Sequence, residues 1–223
     1  MMMTPRAKAI YKTLQPLILA SESPRRRDLL EQVGLTFDVV PSDVENTDGA
    51  RLSSDTLRAA RLFPKDLAMR WAVEKATAVS LTRPGAWVLG ADTIVVLEGT
   101  IFEKPQNRAE ALSMLRRLSG RAHEVITGTC LTRHDPFFME ALTIHTQVHF
   151  KRLAEGEILA YADTGDPMDK AGSYGIQGMG AFLVEAVHGS YTNVMGLPLC
   201  ETLDMLLHQG IIAPTGKVAE GTL

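Results

Sequence analysis

The stretch Leu17-Ile18-Leu19-Ala20-Ser21-Glu22-Ser23-Pro24-Arg25-Arg26-Arg27 joins a short apolar run to a polar helix start. Four apolar residues bounded by turn-formers fit a buried strand. Ser23 suits an N-cap, and Pro24 suits the first helical position, where its missing amide and preset φ cost nothing. Leu29, Leu30 and Val33 supply the apolar face of the helix, and Gly34 ends it. A buried strand that feeds directly into a helix opens an α/β arrangement.

The same alternation continues outward. Residues 37–40 read as a second strand and residues 43–65 as a long polar loop. Periodicity predicts a helix over 66–81, with Leu67, Ala68, Trp71, Ala78 and Val79 on its apolar stripe and Lys75 in the middle of that stripe. Residues 87–90 and 94–97 are strand-like, and Glu98-Gly99 suggests a hairpin turn into 100–102. Asn107 with Glu110 resembles a capping box and opens a helix that Gly120 ends. Two long alternating runs over 123–150 flank a turn at His134-Asp135-Pro136. A helix near 154–163, a Gly-rich stretch over 170–180, a short strand over 181–187 and a closing helix over 197–208 follow. The expected fold class is α/β with a mixed sheet and α+β character. One catalytic domain over 16–210 is expected, between a loose N-terminal extension over 1–15 and a loose tail over 211–223.

The chain has 223 residues, 45% of them hydrophobic, with a formal net charge of −3. That charge argues against a general nucleic-acid surface, so an anion site has to come from local basic residues. No apolar run approaches the ~18 residues of a membrane helix, and no signal-peptide core is present near the start, so a cytoplasmic location is expected. Cys130 and Cys200 form no metal or redox spacing and are expected to be free, buried thiols.

Four segments could carry chemistry. Ser21 through Arg27 places free amides, a helix dipole and forked guanidinium donors together, which suits phosphate; three arginines there would otherwise oppose the dipole. Gly90-Ala91-Asp92-Thr93 puts a carboxylate where an apolar strand gives way to a Gly/Ala-rich turn; Asp92 is compatible with a turn cap or with a cleft base or metal ligand. Lys104 follows the hairpin, and Lys75 either snorkels from its stripe or meets an anion. Lys170 through Gly178 is a Gly-rich turn in which Gln177 could offer a donor and an acceptor to a nucleobase. His145 and His149 share one strand face without a third zinc ligand, and fit an exposed polar face better. His123 and His188 stand alone.

Taken together, these segments resemble the Maf family. The matching motifs are Leu17 to Arg26, Glu74-Lys75-Ala76, Gly90-Ala91-Asp92-Thr93, Glu103-Lys104-Pro105, Leu118-Ser119-Gly120-Arg121-Ala122-His123, Asp169 to Gly178, and Gly189-Ser190-Tyr191 through Gly196-Leu197-Pro198-Leu199. The resemblance implies a fold like that of the inosine-triphosphate pyrophosphatases, with helices around a deep central cleft, and commonly a homodimer. It implies hydrolysis of a nucleoside triphosphate to the monophosphate and pyrophosphate with Mg²⁺ or Mn²⁺. It implies Asp92 as proton acceptor and metal ligand, with Glu45 as a further acidic metal position, where Asn46 follows in place of a second acid. Ser21, Arg26, Lys75 and Lys104 match phosphate-cleft positions; Arg25, Thr93 and Gln177 match positions that set base specificity. These three resemble the branch acting on dTTP and UTP more than the branch acting on 7-methyl-GTP. A non-catalytic nucleotide-binding regulator of septum formation is the rival reading from another class.

Overall fold

The computed structural model of the protein describes residues 9–42 and 63–216. Its organising element is β4 (Trp87–Leu97), eleven residues long and buried along nearly its whole length. Val, Leu, Ile and Trp occupy both of its faces, which marks a central strand. The strand runs straight through Gly90-Ala91-Asp92-Thr93. The turn expected there does not form, because Gly90 serves helix packing and leaves the extended backbone unbroken.

β2 (Leu17–Leu19) pairs parallel with the first half of β4, and β3 (Asp38–Val39) pairs parallel with β2. β5 (Thr100–Phe102) returns from the Glu98-Gly99 turn, where both residues have positive φ, and pairs antiparallel with the last three residues of β4. On the opposite edge, β6 (Ala122–Arg133) covers β4 in antiparallel register, with Asp92 opposite Gly128 and Thr93 opposite Thr127. β7 (Phe138–Phe150) and β8 (Val184–His188) extend the sheet, giving the order β3-β2-β4-β6-β7-β8 with β5 alongside β4. The mixed α/β class read from the sequence is the one observed.

One consequence of this pairing positions the site. β2 leaves β4 at Leu89, and β5 joins the same edge only at Val95. Between them that edge of β4 carries neither strand.

The helices take two faces. α1 (Pro24–Gln32) follows β2. α2 (Pro64–Thr82) lies on one face, across β4 and β6, and is the only helix there among the described residues. It packs with its backbone close against the strands: a Cβ on Gly90 would sit 2.5 Å from the carbonyl oxygen of Ala72, and one on Gly128 would sit 2.3 Å from that of Ala68. Ala68, Ala72 and Ala76 form the matching stripe of small residues. On the other face lie α3 (Arg108–Leu118), α4 (Glu155–Asp163), α5 (Tyr191–Met195) and α6 (Leu199–His208). They form two separate cores. Leu29 and Leu30 of α1 join Leu203 and Leu206 of α6 over Leu89 and Ala91. Leu112, Leu115 and Leu118 of α3 join Ile158 and Tyr161 of α4 over Val95 and Leu97. Thr93 falls between the two.

Two expectations need correction. Of the stretches expected to be loose, the inner parts are paired, since β1 (Tyr11–Thr13) lies antiparallel to β9 (Ile212–Pro214). The cause is apolar: Ile211 and Ile212 are buried in the same core as α1 and α6, and Tyr11 packs on it. Residues 1–8 and 217–223 lie outside the described residues. Of the two free cysteines only Cys130 is buried, with burial pushing its thiol up to about 12; Cys200 is exposed.

Candidate active site

A cleft of about 280 Å³ opens where β2 has left β4, β5 has not yet joined it and the two cores part. Ser21 to Arg26 line it from the end of β2 and the start of α1, Asp92 to Val95 from β4, and Phe102 to Lys104 from the end of β5. Asp169 to Ala171, Tyr174 to Gln177 and Val194 to Gly196 close the far side. This is the carboxyl end of a parallel strand beside a helix N-terminus, where α/β sheets present backbone amides and dipole to a ligand.

The three consecutive arginines diverge. Arg26 is buried and bridges three segments: Nη1 donates to Ser21 Oγ at 2.9 Å, Nε to the Gly196 carbonyl at 2.7 Å and Nη2 to Thr93 Oγ1 at 3.1 Å. Ser21 Oγ also accepts from the backbone N–H of Ser23 at 3.2 Å, which orders the turn into α1. Arg25 reaches across the cleft mouth, its Nη1 donating to Asp169 Oδ2 at 3.2 Å. Arg27 faces solvent.

Asp92 and Thr93 are neighbours on a strand, so they point to opposite faces. Asp92 points toward α2. Lys75 Nζ donates to its Oδ1 at 2.6 Å, and both side chains are only 3% exposed. The stripe of alanines that lets α2 approach the sheet is therefore also what brings this ion pair together. Lys75, expected among the cleft-lining phosphate residues, does not line the cleft; it lies beneath it against Asp92. A buried pair of this kind is costly to desolvate and is strongly destabilised by removal of one partner.

Thr93 enters a buried polar ladder. Its hydroxyl accepts from Arg26 and lies 3.0 Å from Thr127 Oγ1 and 3.4 Å from the Gly196 carbonyl. Thr127 donates in turn to the Asn193 carbonyl at 3.1 Å. The Asn193 side-chain amide donates to the Val125 carbonyl and to Thr146. The short helix α5 is thus stitched to β6 and β7, and its last turn holds the carbonyl that anchors Arg26. Thr127, Asn193 and Gly196 were not singled out as site residues. The one local signal was Ser190, whose hydroxyl accepts from the Asn193 N–H as an N-cap.

Lys104 lines the cleft and is exposed; Gln177 stands exposed at the rim. Glu45, like Asn46, lies outside the described residues. Among the described residues, the lining contains four basic side chains (Arg25, Arg26, Lys104, Lys170) and four acidic ones (Glu22, Asp92, Glu103, Asp169). A bare polyanion gains little net charge complementarity from such a balance. His145 is exposed, and His149 rests edge-on against His188 at 5.1 Å, so the strand-face histidines play no part in the cleft.

The Maf-like protein family model matches residues 16–209. The chain belongs to this family. Among its curated relatives, a dTTP/UTP pyrophosphatase of Symbiobacterium thermophilum is 49% identical over 205 residues, covering 91% of this chain and 98% of the relative. Proteins of the same description from Myxococcus xanthus and Geobacter sulfurreducens are each 46% identical, covering 89% and 88% of this chain and 94% and 97% of theirs. The Maf-like match spans every segment of the cleft, from Ser21 to Gly196.

Proposed function

We propose that this Maf-like protein hydrolyses dTTP and UTP to the nucleoside monophosphate and pyrophosphate. The observation that carries the reading is Asp92, a buried carboxylate held against Lys75 on β4 between the stretches paired with β2 and β5, in a cleft that also contains Arg26 and Lys104. The descriptions of the relatives point to the same reaction.

Phosphoryl transfer needs mostly positioning and charge stabilisation. Arg26, fixed by three acceptors, and Lys104 are suited to phosphate oxygens. Asp92 takes a proton from water as its oxygen bonds to the α-phosphorus. The bond from that phosphorus to the bridging oxygen breaks, and pyrophosphate leaves with the electron pair. Arg25 and Gln177, on opposite sides of the mouth, face the base. Thr93 is engaged with Arg26 and Thr127, so its influence on substrate choice passes through Arg26.

A divalent cation, Mg²⁺ or Mn²⁺, belongs to this reading. Among the described residues no three His, Cys, Asp or Glu side chains cluster as a metal cage. One carboxylate combined with substrate phosphates suits Mg²⁺, which keeps much of its water, and the acidic residues Glu22, Asp92, Glu103 and Asp169 of the described lining favour a cation arriving with the nucleotide. Asp92, with Glu45 as a second acidic group, would hold it, and it would supply charge neutralisation at the phosphates. A homodimer acting in the cytoplasm completes the proposal; no helix among the described residues is long and apolar enough to cross a membrane.

The test is turnover of a panel of nucleoside triphosphates with and without Mg²⁺, run in ¹⁸O-water. Label in the monophosphate, with dTTP and UTP as best substrates, is the expected result. Orthophosphate with a nucleoside diphosphate, or nucleotide binding without turnover, refutes the assignment.

A further inference from the structure

Lys170 lines the cleft within the Gly-rich stretch, where a lysine invites a role as one more phosphate ligand. Its surroundings indicate otherwise. An ammonium has three donors. Nζ lies 2.6 Å from the Asp166 carbonyl, 3.1 Å from Asp166 Oδ1 and 2.7 Å from Asp169 Oδ1, and the side chain is 12% exposed. All three protons are directed into the protein. The stem passes directly beneath Gly175: a Cβ at that position would meet Lys170 Cε at 2.9 Å.

The network extends both ways from this ammonium. Asp169 Oδ2 accepts from Arg25, so Arg25 is tied to Lys170 through a single carboxylate. Burial alone would push the Asp169 carboxyl up, but Lys170 and Arg25 hold it below the usual range, which keeps it ionised as their bridge. Asp166 Oδ2 accepts from the Tyr161 hydroxyl at 2.5 Å, and that hydroxyl accepts from the Gly175 N–H at 3.3 Å. Burial, reinforced by Asp166, pushes the Tyr161 phenol up, so it remains a neutral donor. One chain of contacts thus runs from Arg25 on α1 through Asp169, Lys170, Asp166 and Tyr161 to Gly175, two residues before Gln177.

We infer that Lys170 is a positioning residue for base recognition, setting the spacing between Arg25 and Gln177 across the cleft mouth, and is not a phosphate ligand. The inference rests on the reading that those two side chains face the base. Inorganic pyrophosphate, which has no base, separates the roles. Lys170→Met in the full chain should raise KM for dTTP and UTP about tenfold, the equivalent of one lost buried polar contact. It should flatten their preference over CTP and 7-methyl-GTP and leave inhibition by pyrophosphate within about twofold of the parent. Tyr161→Phe deletes only the hydroxyl holding Asp166 and Gly175, outside the cleft lining, and should change the substrate ratios in the same direction; it decides the matter if Lys170→Met does not fold. Equal KM increases for all four nucleotides together with weaker pyrophosphate inhibition would make Lys170 a phosphate ligand and overturn the inference. Gln177→Glu, run in parallel, tells which idea has failed. If it alone changes the ratios, positioning by Lys170 is refuted while base reading stands; if it leaves them unchanged, the base reading fails and this inference with it.

Discussion

In an Asp92→Asn variant a neutral amide would face the Lys75 ammonium, with almost no solvent available to either side chain. Two effects follow, and their sizes can be separated. Breaking a buried ion pair by removing one charge costs ~3–5 kcal/mol. Asparagine can still accept from Lys75 through its carbonyl oxygen, so ~3 kcal/mol is expected, which lowers Tm by about 6–12 °C in a chain of this size. That remains within the stability of an ordinary domain, ~5–15 kcal/mol, so the variant should fold at 25 °C. Loss of a general base lowers kcat by ~10²–10⁴-fold. The assay is pyrophosphate release from dTTP at saturating Mg²⁺ and 25 °C, alongside a thermal melt and calorimetric titration with a non-hydrolysable dTTP analogue. The expected pattern is a lower Tm, analogue affinity near that of the parent, and kcat down by at least a hundredfold. A folded variant that turns over dTTP at near-parent rate would show that Asp92 does not take the proton, and the mechanism would have to be rebuilt around another group.

Other outcomes follow from the same geometry. Gln177→Glu removes an amide donor at the cleft rim and adds a negative charge, so kcat/KM for dTTP and UTP should drop by ~1–3 kcal/mol relative to 7-methyl-GTP; steady-state rates on both classes of nucleotide measure it. Thr127→Val deletes a fully buried hydroxyl that supports Thr93 and does not line the cleft. It should lower kcat/KM for all nucleotides by a common factor of about tenfold, with substrate ratios intact; a changed ratio would give Thr93 a direct contact with the base. His123 is buried between Phe150 and Tyr174, and burial, aided by His149, lowers its pKa from 6.5 to about 4. The unfolded chain therefore binds a proton that the folded chain refuses between those values, and stability present above pH 6.5 is lost as pH falls toward 4. Urea titrations at pH 7 and pH 5 should differ by about 2 kcal/mol from this group, a difference that His123→Phe should remove.

The local chemistry of the chain was enough to determine several elements. The Ser23-Pro24 helix start, the long helix now bounded at Pro64–Thr82, the Glu98-Gly99 hairpin and the Asn107 cap each depend on residues within a few positions of one another. Turn preferences, caps and hydrophobic period act over that range, so they are visible in one dimension. Short elements such as α5 were lost for the same reason, having too few residues to show a period.

Motif likeness placed Ser21, Arg25, Arg26, Asp92, Lys104 and Gln177 in one site, and the folded chain brings all six to one cleft. What each side chain does there was decided by partners far away in sequence. Arg26 is anchored by Gly196, 170 positions on, and Arg25 by Asp169, 144 positions on. Gly90 looked like a turn residue because its lack of a side chain is equally suited to a turn and to the close approach of a helix. Only the packing of α2 on β4 chose between them, and the same packing turned Lys75 from a cleft cation into the buried partner of Asp92. Sequence determined where strands and helices begin and which residue types the chemistry could draw on, because those depend on neighbours along the chain. Tertiary structure decided which donors remain available to a ligand, because a hydrogen-bonding group already engaged by a distant partner carries no mark of it in its own segment.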